Sequence, residues 1–155
     1  MDIHTQEQRS RNMAAIKGAN TKPEMRVRSA LHSMGFRFRL HRKDLPGKPD
    51  IVLAKHRTVI FVHGCFWHCH DCRWGSVVPK TRSEFWAKKR QGTTERDTRN
   101  ITSLKVAGWK VLVIWECQSR SNEVLRGILA SALSKGTPTD HHGDSQCEHR
   151  DFVGC

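Results

Sequence analysis

Pro49-Asp-Ile-Val-Leu-Ala-Lys-His-Arg-Thr-Val-Ile-Phe-Val-His-Gly-Cys-Phe-Trp-His-Cys-His-Asp-Cys72 is the stretch on which the fold turns. It holds two short apolar runs rich in β-branched residues, Ile51 to Ala54 and Thr58 to Val62. The polar triplet Lys55-His56-Arg57 separates them, and the pattern predicts a β-hairpin. Asp50 opens the first strand and His63 closes the second. Cys65, Phe66, Trp67, His68, Cys69, His70 and Cys72 follow at once. A carboxylate, several histidines, a soft-metal cluster and two aromatics on one hairpin exceed what a structural hairpin requires.

Downstream, residues 75 to 81 read as a loop. Ser83 is expected to cap a helix carrying Phe85, Trp86, Lys88, Lys89 and Arg90, broken at Gly92. A second helix is expected over 93–107, closed by Gly108. Lys110 to Trp115, the most apolar run, predicts a buried central strand parallel to a neighbour, with Glu116 and Cys117 at its end. Residues 122 to 133 form a last amphipathic helix.

Upstream, residues 6 to 18 predict a basic helical arm with an apolar stripe that includes Met13 and Ile16. Thr21 and Glu24 match a capping box and start a helix that stops at Gly35. Met25, Val27, Leu31 and Met34 form its expected core stripe, with Arg26 and Arg28 outward. Phe36 to Leu40 alternates like a strand. Pro49 is expected to hold Lys48 extended. The sequence therefore predicts an α/β fold: a mixed central sheet flanked by helices on both faces. A single domain is expected over 1–135, and a disordered polar tail over 136–155.

The chain carries 27 Lys and Arg against 15 Asp and Glu, a net charge of +12, which points to a polyanionic partner. The charge is uneven: residues 1–48 hold eleven basic and four acidic side chains, whereas the last twenty hold one and four. A uniformly basic coat would not show that split. No signal peptide or transmembrane run is found. There are six cysteines, three of them within Cys65–Cys72, and with nothing pointing to secretion that close spacing favours metal binding over disulfides.

Cys65 and Cys72 enclose His68, Cys69 and His70. If the strand ending at His63 neighbours the strand ending at Trp115, Cys117 falls beside Cys65. Two or three cysteines plus a histidine make a closed tetrahedral Zn²⁺ site, with Cys69 and His70 competing for one position. Asp50 is a different kind of ligand. A hard carboxylate suits Mg²⁺ and phosphodiester cleavage. His63 and His68 beside it can move protons, and Asp97 can orient one of them.

At these residues the chain resembles the very short patch repair endonucleases, bacterial mismatch-nicking enzymes. The resemblance rests on Arg9-Ser-Arg-Asn-Met13, Leu45-Pro-Gly-Lys-Pro-Asp50, Val59 to His68, Thr81 to Trp86, Glu95-Arg-Asp97 and Trp109 to Cys117. It spans about residues 6–120. It implies a restriction-endonuclease-like fold with a zinc-stabilised insert. The implied activity is a Mg²⁺-dependent nick 5′ to the thymine of a T:G mismatch left by 5-methylcytosine deamination.

The resemblance also implies roles. Asp50 and the Val62 carbonyl hold Mg²⁺. His68, oriented by Asp97, activates water, and His63 and Glu24 complete the site. Zn²⁺ sits on Cys65, His70, Cys72 and Cys117. Phe66, Trp67 and Trp86 intercalate beside the mismatch. Independently of the resemblance, Met13 and Ile16 on the arm are expected to press from the opposite groove. One member of that family has Thr at the Val62 position and His at the Cys69 position.

The implied partner is double-stranded DNA bound by a monomer, in the bacterial cytoplasm with the nucleoid. Two other readings compete. A zinc-stabilised DNA-binding module would not need Asp50, His63 and His68 together. A restriction enzyme cutting both strands would be a dimer without wedge aromatics.

Overall fold

Thr58–His63 (β3) and Lys110–Trp115 (β4) pair in parallel along their whole length, from Thr58 opposite Lys110 to His63 opposite Trp115. A parallel pair needs a long crossover, and Ser83–Val106 (α3) supplies it. Ile51–Leu53 (β2) pairs antiparallel with β3, and Arg39–Leu40 (β1) pairs antiparallel with β2. The four strands form one mixed sheet in the order β1-β2-β3-β4. These features come from a computed structural model that describes residues 5–15 and 18–134.

Side chains alternate across the sheet, so the apolar strands feed two cores. On one face Ile51, Leu53, Ile60 and Ile114 meet Val27 and Leu31 of Lys22–Ser33 (α2) and Leu125, Leu129 and Leu133 of Asn122–Leu133 (α5). On the other, Val52, Val59 and Phe61 meet Leu104 of α3, with Ile101 and Trp109 packed alongside. The mixed sheet with helices on both faces is as the sequence predicts.

Local signals account for several boundaries. The Thr21 hydroxyl accepts the Glu24 N–H, and the Ser121 hydroxyl accepts the Val124 N–H, so both helices start at side-chain caps. The hairpin turn is a short 3₁₀ segment over Ala54–His56 that ends on Arg57 in the left-handed region, φ 49°. Gln6–Ala14 (α1) stands apart from both cores and buries no residue. Among the described residues no helix is long and apolar enough to cross a membrane.

Other expectations are corrected. Gly92 does not break α3, which runs unbroken for 24 residues. Glycine costs a helix interior only about 1 kcal/mol relative to alanine, and Arg90 and Leu104, both buried, anchor the helix on either side of it. Ser83 is not the cap; Arg82 holds that place at φ 54° without a capping side chain. β4 is an edge strand, because among the described residues no strand pairs beyond it, and only Ile114 of its six residues is fully buried. Only Arg39–Leu40 of the 36–40 run pairs; Phe36 and Phe38 pack on the core from outside the sheet.

On α2 the buried residues are Glu24, Val27, Ala30 and Leu31. Met25 is half-exposed, and Arg28 folds back onto Glu24. Lys48 is not extended but left-handed at φ 48°, in a turn closed by its own N–H onto the Leu45 carbonyl. Ile16 and the 136–155 tail lie outside the described residues.

Candidate functional site

The carboxyl end of β3 and its surroundings form a cleft of about 420 Å³. Glu24, Asp50, Val62, His63, Trp67, His68, Asp97 and Glu116 are among its lining residues. Asp50 enters just before β2 and is locked across the hairpin: its Oδ2 accepts the Val62 N–H at 2.8 Å. Oδ1 is left to face the cleft. Burial pushes the Asp50 carboxyl up to about 6, with the Glu24 carboxylate adding to it. The Val62 N–H, His41 and His68 act in the opposite direction. A pocket that disfavours two negative charges gains from a cation, and its oxygen-rich donors suit Mg²⁺.

That raised carboxyl has a consequence for stability. Between its ordinary value of 3.8 and about 6, the folded state binds more protons than the unfolded one. Stability is therefore lost as pH rises through that window, and the cost is complete above it. Asp50 is partly exposed, so the full shift is discounted to about 2 kcal/mol. Asp50→Asn, which keeps an acceptor for the Val62 N–H, is expected to melt higher than the parent at pH 8 without divalent ions. The two should converge near pH 4. An Asn variant that melts lower at pH 8 would contradict this.

His68 follows the turn that leaves β3. Its Nδ1 hydrogen-bonds the Asp97 carboxylate of α3. A carboxylate only accepts, so Nδ1 carries the proton, and Nε2 keeps a lone pair for the cleft. His63 stacks on His68 with ring centres 3.8 Å apart and planes 4° from parallel. Burial, and then the neighbouring His68, push His63 down to about 4, so it is neutral at physiological pH. Glu24, expected first as a cap, is 3 % exposed and turns its carboxylate inward. It accepts from the Asn20 N–H and from Arg28.

A second cluster lies behind the cleft. The ligand atoms of Cys65, His70, Cys72 and Cys117 all lie within 4.8 Å of one another. Cys117 is the second residue of the short helix Glu116–Ser119 (α4), which follows β4 directly. The parallel pairing thus brings it to Cys65, across 52 residues of sequence. The Cys117 N–H aims at the Cys65 sulfur and the Gly75 N–H at the Cys72 sulfur, both at 3.4 Å, as amides do around thiolates. Burial pushes the Cys65 thiol up to about 12, with the Cys117 and Cys72 thiols adding to it. A bound cation removes that penalty. His70 stacks on Trp115 at 4.2 Å. Cys69 is not among the four converging residues.

The insert has a second tether that sequence reading missed. Arg90, 3 % exposed, donates to the carbonyls of Phe66, Gly75 and Val77 and stacks on the Phe66 ring. Gly75 is obligatory there: a Cβ would stand 1.9 Å from the His70 carbonyl oxygen. Phe66, Trp67 and Trp86, all half-buried, pack edge-on or tilted, with ring centres 5.2–6.0 Å apart. Phe85, 48 % exposed, extends the group against Trp86. Phe66, Trp67 and Trp86 line a groove of about 950 Å³ together with Met13, Arg9 and Gln6 of α1.

Arg28 and His41 were missed as well. Arg28 carried a readable signal, since Glu24 and Arg28 are four apart on one helix. His41 comes beside Glu24 and Asp50 because its N–H pairs with the Asp50 carbonyl, a register that composition does not reveal.

Comparison with known proteins matches residues 1–74 to the family model for the DNA mismatch endonuclease Vsr. The chain is 52% identical over 127 residues to the type II nicking enzyme V.XorIIP of Xanthomonas oryzae pv. oryzae, covering 82% of this chain and 93% of that one. It is 47% identical over 124 residues to the DNA mismatch endonuclease Vsr of Escherichia coli, covering 80% and 79%. The type II nicking enzyme V.NmeAIP of Neisseria meningitidis is 46% identical over 81% of this chain and 89% of its own.

Proposed function

The chain belongs to the Vsr family of DNA mismatch endonucleases, and from that premise we propose that it nicks duplex DNA 5′ to the thymine of a T:G mismatch in a Mg²⁺-dependent reaction. Such mismatches arise when 5-methylcytosine is deaminated. The observation that carries this reading is the meeting of the Asp50 carboxylate with the Asp97–His68 pair in one cleft, beside the aromatic group.

Each group has a task that its geometry permits. Asp97 holds the His68 proton on Nδ1, so Nε2 is free to take a proton from water attacking the phosphorus. His63, neutral and stacked on His68, limits rotation of that ring. Asp50 and the Val62 carbonyl would hold Mg²⁺, which when bound neutralises charge developing on the phosphate oxygens. The buried carboxylate of Glu24 stands beside Asp50 and completes the oxygen-rich wall. Cys65, His70, Cys72 and Cys117 would hold a structural Zn²⁺, with every position filled by protein.

The fold belongs with the restriction-endonuclease type of mixed sheet. The enzyme acts as a monomer on DNA, in the bacterial cytoplasm with the nucleoid. The net charge of +12 supplies attraction for phosphates independent of sequence.

Mismatch selectivity falls to Phe66, Trp67 and Trp86, aided by Met13 from α1; Ile16 is assigned the same task. A mispaired step unstacks more cheaply than a paired one, and each aromatic–base stack returns roughly 1–3 kcal/mol. Trp67→Ala is therefore expected to lower T:G affinity by about 10-fold or more and to narrow the gap between T:G and C:G duplexes. Its melting temperature should stay close to the parent's. A loss of about 3–5 kcal/mol of stability with T:G preference intact would make Trp67 a core residue.

The function itself is tested with duplexes that differ at one position, T:G, C:G or T:A, with Mg²⁺ or with EDTA. Only T:G with Mg²⁺ should be nicked. Equal rates on all three, or nicking in EDTA, would overturn the proposal.

A further inference from the structure

We propose that Arg28 is a positioning residue: it holds the His41 ring with its proton on Nδ1 and so keeps the cation pocket at Asp50 free of nitrogen ligands. The inference rests on the reading of Asp50 as the cation-binding carboxylate. Glu24, His41 and Asp50 present donor atoms within 4.8 Å of one another. Were all three to ligate, the imidazole would draw the site away from Mg²⁺ toward transition-metal ions.

Arg28 stands one turn after Glu24. Its Nη2 lies 3.1 Å from Glu24 Oε2 and 3.0 Å from His41 Nε2, and its Nη1 lies 2.8 Å from Asn20 Oδ1. Its Nε is buried without a hydrogen-bond partner. The guanidinium is thus placed for Glu24, Asn20 and His41 rather than for its own full satisfaction. A guanidinium has only donors and stays protonated. At 3.0 Å from it, His41 Nε2 must accept, and the proton of the neutral ring stands on Nδ1.

Nε2 also lies 3.6 Å from Glu24 Oε2, but a proton on Nε2 would set donor against donor across the shorter contact. Nδ1 faces Asp50 Oδ1 at 4.0 Å. An N–H in that place cannot ligate a cation; it can only donate, to Asp50 through a water or to the cation's own water shell. The backbone is committed to the same arrangement. His41 sits in the left-handed region at φ 47°, and its N–H donates to the Asp50 carbonyl, strain of the kind kept at functional sites.

The test measures Mn²⁺ affinity of the zinc-loaded protein from the electron paramagnetic resonance signal of free Mn²⁺, with Mg²⁺ as competitor. The ratio of the two affinities isolates the nitrogen ligand, because an added negative charge strengthens both ions. Arg28→Gln offers a carbonyl that accepts from Nε2 and frees the Nδ1 lone pair. It should raise the Mn²⁺/Mg²⁺ ratio by on the order of tenfold, and adding His41→Gln should return it to the parent value. His41→Gln alone should leave the ratio unchanged.

An unchanged ratio in Arg28→Gln, or a lower ratio in His41→Gln alone, overturns the proposal. If Arg28→Gln does not fold, His41→Gln alone decides. Parent Mn²⁺ binding that survives Asp50→Asn shows instead that the ion does not sit on Asp50, and both readings fall together.

Discussion

Asp50→Asn is expected to abolish nicking of a T:G duplex, by at least about 10³-fold, while keeping most of the duplex affinity. The estimate follows from the several kcal/mol that a cation supplies at a phosphoryl oxygen, at about 1.4 kcal/mol per decade of rate. Affinity survives because phosphate contacts over the basic surface and stacking on the aromatic group carry it, and neither touches Asp50. The change leaves the fold intact, since Asn still accepts the Val62 N–H that ties the hairpin to the cleft. An inactive protein that melts higher than its parent at pH 8 is a signature that an unfolding mutation cannot imitate. Single-turnover nicking and a binding isotherm on the same duplex check it. Retained nicking would remove Asp50 from the chemistry.

Cys117→Ser is expected to have the largest effect on folding. Cys117 brings the β4–α4 junction to the insert, with its sulfur 3.5 Å from His70 Nδ1 and its N–H on the Cys65 sulfur. In the proposed Zn²⁺ site, loss of one thiolate opens one of four positions, and binding energy there is folding energy, in a domain whose net stability is of the order of 5–15 kcal/mol. The variant should purify without stoichiometric Zn²⁺ and melt well below the parent. Arg90 bonds three insert carbonyls without any metal, so the damage should grow further when Arg90→Met is added. Metal analysis and thermal melting check this. A Cys117→Ser protein that keeps its Zn²⁺ or melts like the parent would remove Cys117 from the site.

How far the sequence reaches depends on distance along the chain. The hairpin and the Asp50-to-Cys72 cluster are local, and two β-branched apolar runs around a polar turn give the hairpin without any tertiary knowledge. The meeting of Cys65 with Cys117 needed one further assumption, that the strands ending at His63 and Trp115 are neighbours, and their parallel pairing supplies it. His41 was hidden for the opposite reason. Its place beside Asp50 depends on the β1–β2 register and on its own left-handed backbone at the strand's end, and no periodicity encodes either.

Gly92 misled because helix propensity is a weak prior, and packing at both ends of α3 outweighs one glycine. The apolar run of β4 misled because hydrophobicity reports burial by helices as readily as burial by strands. β4 is covered from its faces yet ends the sheet.

The central claim is a single-strand cut placed by a mismatch. It is tested most directly by labelling each strand of one T:G duplex in turn and mapping the products to the nucleotide under single-turnover conditions with Mg²⁺. The account predicts one nick, immediately 5′ to the mismatched thymine, with the guanine strand intact. Cuts in both strands, or the same nick in a T:A duplex, would contradict it.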